Sequence, residues 1–226
     1  MKFALPLLAG IFLAAVPALA AAPPTIDTVK ATLKATTTMT ADFSQTAANG
    51  TVATGKLTLS RPGKVRFAYD KAPLLVVADG KRLSVIDYEV SQVSQWPIKS
   101  TPLGVLLDSD ADLARFAHVV GQEGGGLLVE ARDPKHPEYG AITLNFAVDA
   151  AAPGGLALLG WTALDAQNNR TDITLRGVRY NVAVPAASFG FRDPRTKALP
   201  ERPADIVCIG SPRHYVALSP VVQSRS

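Results

Sequence analysis

Cysteine is nearly missing from this chain of 226 residues. There is one, Cys208, so no intramolecular disulfide framework can form. Charged residues are sparse at 19%, below the ~25% usual for a soluble domain, and aromatic residues make up 7%. Low charge beside 47% apolar residues excludes disorder, which needs the opposite balance. The 23 basic and 19 acidic residues leave a surplus of +4, too small to suggest a nucleic-acid protein. After the first twenty residues no apolar stretch reaches the ~20 residues that a membrane-spanning helix needs.

What is present begins with a segment to be set aside. Lys2 gives a positive start, residues 3–16 are almost unbrokenly apolar, and Ala18-Leu19-Ala20 offers small residues for cleavage. This is the grammar of a secretory signal peptide, and Pro6 and Pro17 argue against a retained anchor. No cysteine lies near the cut, so no site for amino-terminal lipid attachment is offered. The expected mature chain is exported and soluble.

The body alternates. Ile26, Val29 and Leu33, with Asp27 in the first turn, predict a short amphipathic helix over 25–35. From Met39 the period becomes two: Met39, Ala41 and Phe43 alternate with polar neighbours, as do Leu57 and Leu59, then Val65, Phe67 and Tyr69. Asn49-Gly50, Arg61-Pro62-Gly63 and Asp79-Gly80 mark turns between strands. Residues 74–78, the Asp79-Gly80 turn and residues 81–88 read as a hairpin. Thr101-Pro102 opens an apolar helical segment carrying Leu103, Leu106 and Leu107. A second helix is expected within 108–120. Strands resume over 127–132, 141–148, 156–164 and 171–182, the last two around Asn168-Asn169. A long antiparallel meander with inserted helices implies a barrel or a strongly curved sheet. Residues 192–226, basic and proline-containing, read as a loosely docked or mobile extension that also holds Cys208.

Motifs of chemistry fail on inspection. Asp108-Ser109-Asp110-Ala111-Asp112 opens like a calcium loop, but Leu113 stands where glycine is needed and Val119 where a bidentate glutamate belongs. Gly124-Gly125-Gly126 lacks the lysine of a phosphate loop. His118, His136 and His214 have no zinc spacing, and no nucleophile elbow occurs. No catalytic residue, metal or cofactor is expected. Periodicity cannot distinguish a greasy cavity inside such a sheet from a solid core.

An ordered set of pieces adds a resemblance. Met39-Thr40-Ala41-Asp42-Phe43-Ser44-Gln45-Thr46 is followed by Gly55-Lys56-Leu57 and Arg61-Pro62-Gly63-Lys64-Val65-Arg66-Phe67. Asp79-Gly80-Lys81-Arg82-Leu83, Ser91-Gln92-Val93 and Thr101-Pro102-Leu103 come next. Together they resemble the periplasmic outer-membrane lipoprotein carrier family, LolA-like, over about residues 25–110. The likeness thins to a strand pattern through 191, and the extension has no counterpart. The resemblance implies a mainly β fold with some α: an incomplete antiparallel β-barrel, a curved sheet closed by short helices acting as a lid over an apolar cavity. Its domain would cover 21–191.

The same resemblance implies a soluble periplasmic carrier for the acyl chains of lipoproteins. Its partners would be acylated lipoproteins as cargo, an ATP-driven release complex in the inner membrane and a lipoprotein receptor in the outer membrane. No nucleic acid, no stable membrane insertion and a monomeric state are expected. Val65, Phe67 and Tyr69 would look inward, with Met39, Phe43, Leu57, Leu59, Leu74, Val76, Leu83 and Val85 as further wall candidates by alternation. Arg61 corresponds to an arginine that hydrogen-bonds the lid, whose apolar face would be Leu103, Leu106 and Leu107. Phe67 stands where carriers often have tryptophan. Two other readings remain open: a general periplasmic lipid-binding or lipid-shuttling protein of the same fold, and an enzyme.

Overall fold

The switch from helical to alternating spacing near residue 36 separates an amphipathic helix from the succession of strands that follows it. The computed structural model describes residues 23–98, 101, 104, 107, 117–122 and 125–195. The amino-terminal apolar run, Leu103, Leu106, the acidic stretch at 108–112, Cys208 and His214 lie outside the described residues.

Helix α1 spans Ile26–Ala35. The Thr25 amide donates to the Thr28 hydroxyl at 3.1 Å, giving one orphan donor of the first turn a partner. Asp27 near the start and Lys34 near the end both complement the helix dipole. Val29, Thr32 and Leu33, three and four apart, form its buried face.

Among the described residues eleven strands follow. They are β1 Thr38–Thr46, β2 Val52–Ser60, β3 Lys64–Tyr69, β4 Leu74–Asp79, β5 Arg82–Asp87 and β6 Gln92–Pro97, then β7 Ala117–Gly121, β8 Gly126–Arg132, β9 Ala141–Val148, β10 Leu156–Leu164 and β11 Arg170–Tyr180. They make one sheet in the order β6-β5-β4-β3-β2-β1-β11-β10-β9-β8-β7. Every pairing is antiparallel. The first and last strands join two meanders at the centre, with Met39 opposite Tyr180 and Gln45 opposite Ile173. The outer strands β6 and β7 leave the sheet open, and the chain between them links its two edges.

The sheet curls strongly. Phe67 on β3 and Trp161 on β10 are four strands apart in the pairing order. In a flat sheet that is ~19 Å, at ~4.8 Å per strand. Their ring centroids are nevertheless 6.0 Å apart, edge to face. Bulges assist the curl. The β9–β10 register shifts between Leu158 and Gly160, where Gly160 has φ +151 and an added Cβ would lie 2.0 Å from the Ile173 carbonyl oxygen. Only a residue without a side chain fits there.

The core lies on the inner face. A single apolar cluster joins α1 to strands of both meanders, including Leu33, Met39, Leu57, Val65, Leu144 and Ile173. A smaller cluster on the outer face, Leu75, Val77 and Ile86, is covered by Phe189 and flanked by Val184 and Phe191. Arg66 fastens that covering segment by donating to the carbonyls of Ser188 at 3.2 Å and Gly190 at 3.1 Å.

One expected element is different. Within 108–120, read as helical, residues 117–120 belong to strand β7. Its pairing with β8, Ala117 opposite Ala131 and Val119 opposite Val129, overrides a local apolar run too short to specify helix or strand.

Candidate functional site

Alternation on each strand sends every second side chain to the inner face. Met39, Phe43, Leu57, Leu59, Val65, Phe67, Val76 and Leu83 all lie buried in the one inner cluster, and Tyr69 and Val85 pack against it. Leu74 has the same parity as Val76 but is half-buried and belongs to neither apolar cluster. The structure thus gathers nearly all the wall candidates and leaves Leu74 at the margin.

Aromatic rings tie the wall together. Phe43 meets Phe67 at 5.4 Å and Tyr69 at 5.2 Å between centroids, both edge to face. Phe67 in turn meets Trp161. Such pairs add about 0.5–1.5 kcal/mol each beyond the area they bury. Sequence reasoning missed the other half of this surface, to which β8–β11 contribute Leu127, Phe146, Leu158, Trp161, Ile173 and Leu175. Alternation in those strands was a usable signal, but the bulge at Gly160 moves the inward parity from Leu158 to Trp161.

Polar groups bound the wall at both ends. At the carboxyl ends of β1 and β3, the Tyr69 hydroxyl donates to Gln45 Oε1 at 2.7 Å. Gln45 is only 2% exposed, and burial pushes the Tyr69 phenol up. A phenol held neutral in this way keeps its proton for the amide oxygen. At the opposite end, α1 and the sheet enclose a cavity of about 10 Å³, room for about one water. Thr32, Thr36, Arg61 and Tyr180 line it together with Met39, Leu59 and Phe146. The Tyr180 hydroxyl accepts from the Leu158 amide at 2.9 Å. Burial raises its pKa also.

The lid candidates are partly described. Gly104 and Leu107 have helical backbone, and Leu107 is buried in the inner cluster. The Thr101 hydroxyl donates back to the Ile98 carbonyl at 2.8 Å, and the Gly104 amide donates to the Thr101 carbonyl at 3.0 Å. The Gly63 amide donates to the Leu107 carbonyl at 3.1 Å, so the turn after β2 is tied to this segment directly. Arg61 anchors the same turn through its amide, which donates to the Thr37 carbonyl at 2.8 Å.

Other residues singled out in the sequence lie apart from this face. His118 faces Glu130 at 3.9 Å and His136 faces Glu138 at 3.0 Å, both histidines largely exposed. Among the described residues no three potential ligands gather as a metal site, and no helix is long and apolar enough to cross a membrane.

A curled open sheet with a continuous apolar inner face, capped at one rim by an amphipathic helix, defines a protein built to present greasy surface inward. The chain belongs to the outer membrane lipoprotein carrier protein LolA family, whose pattern residues 34–192 match. An outer-membrane lipoprotein carrier protein of Chromobacterium violaceum is 29% identical over 205 residues, covering 86% of this chain and 96% of that protein. The protein of the same description from Dechloromonas aromatica is 31% identical over 182 residues, 75% of this chain and 84% of its own length. Among solved structures, a LolA superfamily protein from Nitrosomonas europaea overlays with a TM-score of 0.40 at 10% identity, covering 75% of this chain and 99% of that one.

Proposed function

We propose that this chain is a periplasmic carrier that takes up the acyl chains of lipoproteins released from the inner membrane and delivers them to an outer-membrane receptor. The observation that carries the reading is the inner face itself, apolar on every strand but β6 and curled until Phe67 touches Trp161. Each acyl methylene withdrawn from water is worth ~0.8 kcal/mol, so a chain of sixteen carbons represents roughly 12 kcal/mol. A wall of leucine, valine and aromatic side chains offers matching contact. Family membership, and relatives that are outer-membrane lipoprotein carrier proteins, support the same cargo.

In this reading residues 1–20 direct export and are removed, 21–191 form the carrier domain, and 192–226 extend it. Leu103, Leu106 and Leu107 cover the wall when it is empty, and Arg61 steadies the closed arrangement. An ATP-driven complex in the inner membrane loads the carrier, and a receptor that is itself a lipoprotein unloads it. The carrier works as a monomer and performs no chemistry on its cargo.

The test is release and hand-over. Inner-membrane vesicles holding a labelled lipoprotein are incubated with the purified chain and ATP, and the soluble fraction is then offered to receptor-bearing membranes. The expected result is an equimolar soluble complex that empties onto the receptor. Mass spectrometry of material co-purified from the periplasm that finds free phospholipid and no acylated protein would overturn it in favour of a general lipid shuttle.

A further inference from the structure

The inner wall of the first meander ends in a closure that greasy contact alone does not require. Along β1 the inward residues are Met39, Ala41, Phe43 and Gln45, three apolar side chains and then an amide as deeply buried as Phe43. Gly55 of β2 stands opposite Phe43 on one side and opposite Tyr69 on the other. A Cβ there would lie 2.7 Å from the Phe43 ring and 2.1 Å from the Ala68 carbonyl oxygen. Because there is none, the rings of β1 and β3 reach across a whole strand, ~10 Å in a flat sheet, and meet edge to face at 5.2 Å. The Tyr69 hydroxyl then donates to Gln45 Oε1 at 2.7 Å. Phe43, Tyr69 and Gln45 form one plug, held by ring contact and by a hydrogen bond.

The plug lies at the end away from α1. At the α1 end the Arg61 amide donates to the Thr37 carbonyl at 2.8 Å, and the Gly63 amide donates to the Leu107 carbonyl at 3.1 Å. Helix, turn and candidate lid meet at that rim, so a cargo whose head stays in water enters there, tail first. From Met39 at the rim to Gln45 is six residues of extended strand, ~20 Å at ~3.4 Å each. One layer of membrane acyl tails fills half of the ~30 Å bilayer core, ~15 Å. A tail of that length laid along β1 brings its methyl end to Phe43 and meets Tyr69 and Gln45 next. To pass them it must part their hydrogen bond and leave two polar groups against hydrocarbon, which costs more than an added methylene gains.

We propose that Phe43, Tyr69 and Gln45 form a floor that sets the length of acyl chain the protein accepts, with Gly55 allowing the floor to close. The inference rests on the carrier reading and adds to it a chain-length selectivity. Tails that end at the floor gain apolar contact with every methylene. Longer tails fold back on themselves or leave their last methylenes in water, so further length adds no affinity.

The probes are lipopeptides of one sequence, each with a single amide-linked acyl chain of ten, twelve, fourteen, sixteen, eighteen or twenty carbons, titrated below their critical micelle concentrations. Against the wild type, Kd should fall roughly fifteenfold for each two methylenes added. It should then level off at about sixteen to eighteen carbons. Tyr69→Ala removes the ring and its hydrogen bond, and Gln45→Met/Tyr69→Phe removes the polar groups at nearly constant shape. Both should carry the fall on to twenty carbons, so that the gain from sixteen to twenty is at least tenfold larger than in the wild type. Leu59→Ala, on the same wall near α1, should weaken every probe alike and leave the break in place. A wild-type series without a break, or a break at the same length in both floor variants, overturns the floor; self-association of the longest probes gives the second result. A break that Leu59→Ala moves equally overturns it too, because any loosening of the wall then suffices. If no probe binds the wild type, the carrier reading fails and the floor with it, whereas a series without a break removes the floor alone. Should both floor variants misfold, Tyr69→Phe is read by itself, and an unmoved break overturns the proposal.

Discussion

The amide of Gly63 donates to the carbonyl of Leu107 at 3.1 Å, joining the β2–β3 turn to a segment more than forty residues further along the chain. Gly63 holds φ +74, and a Cβ placed there would lie 2.8 Å from the Gly80 Cα in the neighbouring β4–β5 turn. Two turns and the candidate lid thus meet at one residue. Gly63→Ala should cost about 2–3 kcal/mol, from the left-handed backbone and the backbone clash together. Thermal unfolding should report this as a midpoint lowered by roughly 4–10 °C. An unshifted midpoint would show that the turn relaxes without strain.

Arg61 sits two residues earlier and lines the cavity under α1. Arg61→Leu keeps much of the aliphatic stem and removes the guanidinium, so loss of packing and loss of donors can be separated by comparing stability with transfer. Cargo hand-over to the receptor is expected to fall by roughly ten- to a hundredfold, the value of a hydrogen bond from a charged group. Folding should be little changed. Transfer at the wild-type rate would contradict any role for Arg61 in holding or opening the lid.

Much of the first meander can be read directly from the sequence because period two converts residue number into face. Met39, Phe43, Val65 and Phe67 need no further information once the strand is recognised. The second meander resists the same counting. The bulge at Gly160 exchanges parity within β10, and the β1–β11 register shifts between Thr40 and Asp42. β7 buries Ala117 but exposes His118, Val119 and Val120, so its pattern resembles no strand template. Nothing local marks Thr32 and Thr36 as buried either. Threonine on an amphipathic helix reads as surface, and only the sheet packed against α1 encloses them.

Asp79 closes the β4–β5 turn, its Oδ1 accepting the amides of Lys81 at 2.7 Å and Arg82 at 2.8 Å. The Arg82 amide, then that of Lys81, holds the carboxyl below the usual carboxylate range. A folded pKa below the unfolded value of ~3.9 means that the ionised group stabilises the fold above about pH 4. That contribution is lost as the pH falls through the folded pKa. Asp79→Asn keeps an acceptor and removes the charge. It should therefore melt lower than the wild type from pH 7 down to about 5, with the difference closing at lower pH. A difference independent of pH would assign the effect to turn geometry alone.

Trp161 offers a direct reading of the wall, because it lies buried against Phe67 where the two meanders touch. The other tryptophan, Trp96, is on edge strand β6 and only half-buried. A Trp96→Phe chain consequently leaves one tryptophan, at the closure point. An acyl chain entering the inner face must either part the Phe67–Trp161 contact or lie against it, and each changes the polarity and quenching around the indole. Titration with the sixteen-carbon lipopeptide should shift or quench Trp161 emission in a saturable manner, with an endpoint near one lipopeptide per chain. Phe67→Ala should enlarge the free space beside the indole and alter the starting spectrum, at a stability cost of about 3–5 kcal/mol. A saturating lipopeptide that leaves Trp161 emission unchanged would place the acyl chains elsewhere and remove the inner face as the site of carriage.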